Sequence, residues 1–410
     1  MTGRLDLGSQ LQLPADAGRA VHPADTLARV WPLAQALGIT RLARVTHLDD
    51  IGIPVWSAAR PNARNLSVTQ GKGLDDDHAR ASALMEAVEQ ALAERPRSEL
   101  RIGTATLLPD GDVVSTLPEL VAKGAFPLEP EDETTWVRGT DLGTGMSTWI
   151  PLEAASLDYT IAPRFRRYWQ STDGLASGNT LAEAILHGLL ERIERDALAL
   201  WALRHPADVP NRLRSAAAFQ SRDVACLCAR VTAAGHRIRL FDLSSDIKVP
   251  VIGAAIMDSG ASLSHVPRHF EIAVGSGCHP DPARAAVRAI TEAAQSRVTV
   301  ISGARDDFLP DEYRARSQPG ALDYFGFDEA SAPPTPTLQP HAPMSIADLV
   351  GAVAAAGSPV IAVPLADEAD FAVAKVLCPG LENPPGGRQR SIGMRAIRRM
   401  LQRAKGVEFA

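Results

Sequence analysis

A mixed α/β fold, α+β in character, is what this sequence predicts, on three observations. Segments of helical apolar periodicity alternate with short β-branched runs along most of the chain. Three of the helical segments are long, at about five turns each. The composition is globular: of 410 residues, 45% are apolar and 22% charged, which excludes disorder and collagen-like repeats.

Taken in order, residues 1–40 read as a lead segment with one helix over 24–37, opened by Pro23. Ile51-Gly-Ile-Pro-Val-Trp-Ser reads as a strand, followed by a loop through Arg60-Pro61-Asn62 and a second apolar run at 66–68. Gly71-Lys72-Gly73 reads as a plain turn, and the aspartates after it as the acidic start of the first long helix, 77–94. Strands are expected around Leu107, Val113 and Trp149, with irregular chain between them. The second long helix follows Gly174-Leu-Ala-Ser-Gly-Asn-Thr and ends near 203.

A helix at 223–234 and strands at 238–243, 251–257 and 272–275 lead to the third long helix at 283–300. Gly275-Ser-Gly-Cys-His before it is a weak candidate for an anion-binding nest. Residues 306–343 carry Pro333, Pro334, Pro336, Pro340 and Pro343 and read as an exposed excursion. Strands at 360–363 and 371–377 and a basic helix at 391–405 follow.

Charge and cysteine content narrow the function classes. With 42 Lys+Arg against 48 Asp+Glu the net charge is −6, which argues against general nucleic-acid binding. Cys226, Cys228, Cys278 and Cys378 are too few and scattered for a disulfide framework or a zinc knuckle. The N-terminus lacks a signal-peptide apolar region, and the uncharged stretch 349–366 is broken by Gly351, Gly357, Pro359 and Pro364. A cytoplasmic protein without a membrane span is expected.

What the long helices carry points to chemistry. Ser82, Glu86 and Glu89 are spaced i, i+4, i+7 and share one face of a helix that is apolar nearly all round. In the second helix Asn179, Glu183, Glu191, Glu194 and Arg195 fall within an arc of about 160°. Thr180-Leu-Ala-Glu183 also matches a capping box, which accounts for Glu183 but not for Glu191 and Glu194. The third helix places Arg288, Glu292 and Gln295 at the spacing of the first. Solvated glutamates and ordinary i, i+4 pairs are the plain alternative for each stripe taken alone.

Several carboxylates in an apolar setting need compensation, and Mg2+ joined to substrate phosphates supplies it. Arg195 and Arg288 fit as clamps on phosphate oxygens. The chemistry implied is nucleotide with Mg2+, although no P-loop, kinase or dinucleotide-binding motif occurs.

From about Thr46 to Glu382 these segments resemble the YcaO family of ATP-dependent peptide-backbone modifying enzymes. The resemblance rests on Leu48-Asp-Asp-Ile-Gly-Ile-Pro-Val, Gly71-Lys-Gly, Ser82-Ala-Leu-Met-Glu-Ala-Val-Glu and the long run from Gly178-Asn-Thr to Glu194-Arg-Asp. His279-Pro-Asp-Pro, Arg288-Ala-Ile-Thr-Glu-Ala-Ala-Gln-Ser-Arg and Pro379-Gly-Leu-Glu add to it. It implies a YcaO-type fold whose carboxylate-bearing helices form a non-P-loop ATP site, with residues 41–410 as the catalytic domain and the lead segment contributing to the nucleotide site.

By the same resemblance Ser82, Asn179, Glu183, Arg195, Arg288, Gln295 and Lys72 contact ATP, and Glu86, Glu89, Glu183, Glu191 and Glu194 hold Mg2+. Family members place an N-terminal Lys, with Ser or Thr seven residues later, at the nucleoside. The matching spacing here is Arg19 to Thr26, with Arg in the place of Lys.

The implied reaction activates a peptide amide oxygen by phosphorylation, giving an azoline, an amidine or a thioamide. Azoline-forming members often end in a Pro-rich tail, whereas this chain ends Lys405-Gly-Val-Glu-Phe-Ala410. The pattern looks more like members that work with a TfuA partner and an external sulfur donor, so thioamide formation is expected ahead of cyclodehydration. A ribosomally made peptide or protein substrate, a TfuA-like or leader-recognition partner and a homodimer are the implied associations; a non-catalytic ATP-binding subunit is the rival from another class. Arg388, Arg390, Arg395, Arg398, Arg399 and Arg403 either contact an acidic peptide or partner, or form the solvated side of an amphipathic helix over Ile392, Met394, Ile397 and Leu401.

Overall fold

The computed structural model describes residue 19 and residues 21–109, 111–204, 208–258, 268–317, 325, 327, 337–338, 344–383 and 391–404. Its strands form three sheets. The first has the antiparallel order β1 (Arg41–Arg44), β2 (Val55–Ala59), β3 (Val68–Lys72). The second, also antiparallel, runs β12 (Ile272–Cys278), β11 (Val251–Met257), β10 (Arg237–Asp242), β9 (Leu213–Arg214).

The third sheet runs β5 (Val113–Val114), β7 (Ser147–Pro151), β6 (Thr134–Asp141), β13 (Ile361–Asp367), β14 (Ala372–Leu377), β8 (Leu175–Gly178), with β4 (Leu100–Gly103) on β6. Only its β5–β7 pair is parallel among the described residues, so this sheet is mixed.

Seven helices of ten residues or more are described: α1 (Pro23–Ala34), α2 (Asp76–Glu94), α3 (Leu181–Trp201), α4 (Arg222–Ala233), α5 (Pro282–Ser302), α6 (Ile346–Ala355) and α7 (Met394–Ala404). The three long ones each lie on a different sheet: α2 on β2 and β3, α3 on β8 and β14, α5 on β11 and β12. Local chemistry starts each of them. Asp75 accepts from His78 N at 2.9 Å, Thr180 Oγ1 from Glu183 N at 3.2 Å, and Asp281 from Ala283 N at 2.9 Å, satisfying amides that a helix start leaves open.

Apolar burial then fixes the layers. Leu84, Val88 and Leu92 of α2 share a core with Trp136 and Trp149, and Ile185, Leu189 and Ile193 of α3 share another with Val251 and Val376. Ala285, Ala289 and Ala293 of α5 join Ile53, Ile252 and Val224. Small residues bring helix and sheet close together. A side chain on Gly71 would meet Ala83 N at 2.0 Å and Ala79 O at 2.3 Å, and one on Gly275 would meet Ala293 N at 2.3 Å and Ala289 O at 2.4 Å.

That geometry corrects two expectations. Gly71 and Lys72 belong to strand β3, not to a turn, and Gly275-Ser-Gly-Cys belongs to β12, so no anion nest forms there. In both places glycine serves the close approach of a helix. Leu107 lies in a single 3-10 turn and is 72% exposed, while the strand of that region is β4. The long strand β6 was not anticipated, because Thr134-Thr-Trp-Val-Arg-Gly-Thr-Asp lacks a clean apolar alternation. Asn179 precedes the N-cap of α3 instead of lying on its face.

Asp49 of the Leu48-Asp-Asp-Ile segment accepts from Arg297 Nε at 3.1 Å, and Arg297 also donates to Asp258 at 2.8 Å. This segment therefore braces α5. Much of 306–343, with Arg388 and Arg390, lies outside the described residues; within the excursion a short helix spans Pro310–Arg314. All four cysteines are free, and among the described residues no helix is long and apolar enough to cross a membrane.

Candidate active site

The polar faces of α2, α3 and α5 turn toward one cavity of about 630 Å³. Ser82, Glu86 and Glu89 line it from α2, Glu191, Glu194 and Arg195 from α3, and Arg288, Glu292 and Gln295 from α5. Lys72 enters from β3 and pairs with Glu292. Three stripes that lie far apart in sequence thus become three walls of a single site.

Three of the acidic groups are aimed by hydrogen-bonding neighbours. Glu89 accepts from Ser177 N at 2.8 Å and Ser177 Oγ at 2.6 Å, which ties α2 to β8. Glu191 accepts from Gly174 N at 3.1 Å and from Arg195 at 3.2 Å, while Glu194 accepts from Ser276 Oγ of β12 at 2.6 Å. Gln295 donates to Gln70 O at 2.7 Å. These bonds fix Oε1 of Glu89 and of Glu194 and both oxygens of Glu191.

The electrostatics are those of an acidic cluster in poor contact with water. Burial pushes Glu86 up to about 7, against the pull of Lys72 and Arg305. Burial also pushes Glu89 up to about 8, with Ser177 opposing and Glu86 and Glu191 adding to the rise. Glu191 is raised by burial as well, though Arg195 counters it. Glu292 ends below the usual range, because Lys72 and Arg195 outweigh its burial. For Arg195 burial disfavours the charge, and Glu191, Glu194 and Asp173 more than restore it.

The remaining residues singled out by sequence sit just behind the walls. Glu183 Oε2 accepts from Asn179 N at 2.6 Å and Asn179 Nδ2 at 3.1 Å, and its Oε1 lies 3.9 Å from Arg19 Nε. Arg19 lines the cavity and donates to Ser177 O at 3.3 Å, and Thr26 donates to Asn179 at 2.8 Å. The lead segment thereby reaches the site. Glu183 does not share the cavity wall with Glu191 and Glu194; it holds Asn179 and faces Arg19.

Sequence reasoning missed Asp173, Ser177, Ser276 and Lys375. Asp173 Oδ1 stands 3.4 Å from Arg195 Nε, and Lys375 donates to the carbonyls of Ser171 and Asp173. Burial lowers Lys375 to about 8, with Asp173 opposing. A lysine in the apolar run of β14 was a readable signal, since a charge buried in a strand needs partners. Asp173, in a loop, gave none.

This donor set fits Mg2+ and a nucleotide. Oxygen-only carboxylates raised toward neutrality by burial, and further by one another, are what a hard divalent cation relieves, and Arg195, Arg288 and Lys72 supply guanidinium and ammonium donors for phosphate oxygens. When bound, Mg2+ would neutralise carboxylates and phosphates together. Glu86, Glu89, Glu191 and Glu194, which line the cavity, are the residues that could hold it.

Comparison with known proteins bears on the family and its cofactors. The family model described as YcaO cyclodehydratase, ATP- and Mg2+-binding, matches residues 70–382. An uncharacterized protein in the tfuA 3′ region of Rhizobium leguminosarum bv. trifolii is 38% identical over 396 residues, covering 92% of each chain. An uncharacterized protein of Methanothermobacter thermautotrophicus is 36% identical over 304 residues, 73% of this chain and 76% of that one.

Among solved structures, the YcaO protein of Methanopyrus kandleri bound with AMPPCP and Mg2+ superposes with a TM-score of 0.69 at 24% identity, covering 93% of this chain and all of that one. A heterocyclase in complex with substrate and cofactor gives 0.74 at 21% identity over 90% of this chain, which spans 54% of the heterocyclase. At these identities the structures establish a common fold. With a family model matching most of its length, this chain belongs to the YcaO family, ATP- and Mg2+-binding enzymes of the cyclodehydratase type.

Proposed function

We propose that this protein uses Mg-ATP to activate a backbone amide of a ribosomally made peptide or protein, and that its product is a thioamide formed with a TfuA-like partner and an external sulfur donor. The observation that carries the ATP-dependent part is the meeting of carboxylates and guanidinium groups from α2, α3 and α5 in one cavity. The likeness to a protein encoded beside tfuA supports the partner.

ATP supplies the phosphoryl group that turns an amide oxygen into a leaving group. The chain's own residues bind and orient. Glu86, Glu89, Glu191 and Glu194 take the metal; Arg195, held by Glu191 and Asp173, and Arg288 on the opposite helix take phosphate oxygens. Ser82, Gln295 and Lys72 complete the nucleotide contacts, while Arg19, Thr26 and Asn179 position the lead segment against them. Fixed charges aimed in advance at phosphate need no reorganisation during reaction, so catalysis here is positional and electrostatic.

Cyclodehydration is the second reading, favoured by the heterocyclase fold neighbour. Purified protein is incubated with a candidate peptide, ATP, sulfide and the TfuA-like protein, and phosphate release and peptide mass are read. Oxygen-to-sulfur exchange supports the proposal, and water loss supports azoline or amidine formation. ATP binding without substrate-stimulated phosphate release would leave only the non-catalytic role.

A further inference from the structure

A second cavity of about 650 Å³ lies between the C-terminal turns of α3 and helix α7. Its wall holds Arg204, Arg212, Arg395, Arg398, Arg399 and Arg403. Six arginines face three aspartates there, Asp208, Asp242 and Asp246; Asp246 pairs with Arg395 at 2.6 Å, and Asp242 with Arg214, from outside the wall, at 2.9 Å. Positive charge is therefore in excess. Arg399 is held below its usual range by burial and by the neighbouring Arg212, with Asp208 and Asp246 opposing. Like charges crowded on a partly desolvated wall favour an incoming anion.

The seating of α7 is the second observation. It docks by a charged side chain: Arg395 donates to both oxygens of the fully buried Asp196, at 2.9 Å each, and Glu382 caps the helix by accepting from Gly393 N and Ala396 N at 3.0 and 2.9 Å. Met394, Ile397 and Leu401, spaced i, i+3, i+7, face outward, Met394 60% and Leu401 57% exposed. An amphipathic helix that buries its arginine and exposes its apolar strip reverses the arrangement expected for a helix on its own core. The expectation of an apolar face packed beneath a solvated basic face fails here for that reason.

We propose that this groove binds an acidic, amphipathic segment of the peptide substrate, its carboxylates seated in the arginine wall and its apolar side chains on the strip of α7. The proposal rests on the peptide-modifying reading above. Carboxylates match the planar fork of arginine, and an apolar strip beside the wall suits a peptide better than a phosphate backbone, which offers no apolar side chains to it. Helix α3 joins the two sites: Glu194 and Arg195 line one cavity and Ala197, Leu200 and Trp201 the other, so these residues lie within about 3 to 10 Å of one another along the helix axis.

Fluorescence anisotropy of the full chain tests this with a labelled peptide of repeated Glu-Leu pairs, its Lys-Leu counterpart, and oligodeoxythymidylate of matching length. The Glu-Leu peptide should bind in preference to the other two, and Arg398→Glu with Arg403→Glu should weaken it by about tenfold or more, the loss expected when charge-assisted contacts become repulsive. No binding of the Glu-Leu peptide, an affinity changed less than about twofold by the reversal, or equal binding of the oligonucleotide overturns the proposal. A dimer in sedimentation that Met394→Glu with Leu401→Glu converts to monomer assigns the face to a second copy and overturns it too.

Mg-ATP affinity measured on the same samples reports whether the carboxylate cavity is folded and separates the two readings. Peptide binding without Mg-ATP binding sinks the functional proposal and spares the groove; the converse does the reverse.

Discussion

Asp173 Oδ1 lies 3.4 Å from Arg195 Nε, so a loop residue holds the guanidinium that faces the carboxylates of α3. Asp173→Asn keeps the volume and removes the charge. Arg195 then keeps Glu191 but loses its second anchor, and affinity for a non-hydrolysable Mg-nucleotide should fall by about tenfold, a change within the range of a lost charge-assisted contact. Calorimetry reads it, and far-UV circular dichroism checks that the fold is retained. An unchanged affinity would remove Asp173 from the site.

Glu89→Gln should stabilise the protein in the absence of ligand while abolishing stabilisation by Mg-ATP. The folded-state value of Glu89, about 8, lies above its ordinary 4.5, so the wild type carries a destabilising ionisation at high pH. Relative to the Gln variant, wild-type stability should fall as pH rises from about 4.5 to 8 and level off above that. Thermal melts across this window without metal, then with Mg-ATP, show both halves.

Binding of Mg-nucleotide near pH 7 should release protons. Glu86 and Glu89, at about 7 and 8, hold roughly one and a half protons between them there, and a cation needs both ionised. The heat of binding should therefore depend on the ionisation enthalpy of the buffer, and the dependence should fade above pH 9. Buffer-independent heats at pH 7 would mean that these glutamates do not receive the metal.

Gly71→Ala and Gly275→Ala should each cost several kcal/mol or prevent folding, because the new methyl meets helix backbone at 2.0 to 2.4 Å. Gly351→Ala in α6, with nothing within 4 Å, should be neutral or stabilising by up to about 1 kcal/mol. Urea unfolding of the three variants gives the comparison. A mild effect at Gly71 would mean that α2 can slide on its sheet, and with it the glutamates it carries.

The three long helices were readable because their cues are local. Asp75, Thr180 and Asp281 cap them, and their apolar residues recur at helical spacing, so bounds came within a few residues of those observed. Strand β11, apolar at every position, was equally plain. Strands β4 and β6 were not, since their stability comes from pairing with chain distant in sequence and from Trp136 in the core. The glycines of β3 and β12 misled for the same reason. Their surroundings are helix backbone that no local pattern reveals.

The sequence by itself determined which side chains share each helix face, the family to which the chain belongs and the acidic, oxygen-rich character of the site. Helical spacing places Glu86 with Glu89, and Glu191 with Glu194, whatever the rest of the chain does. Only the tertiary structure decided that the three stripes face one cavity, that Asp173 and Ser177 aim their charges, and that α7 turns its apolar strip outward. The physical reason is that periodicity fixes direction around one helix axis, whereas the meeting of three axes depends on how three sheets pack, through contacts between residues as far apart as Glu89 and Ser177 or Glu194 and Ser276.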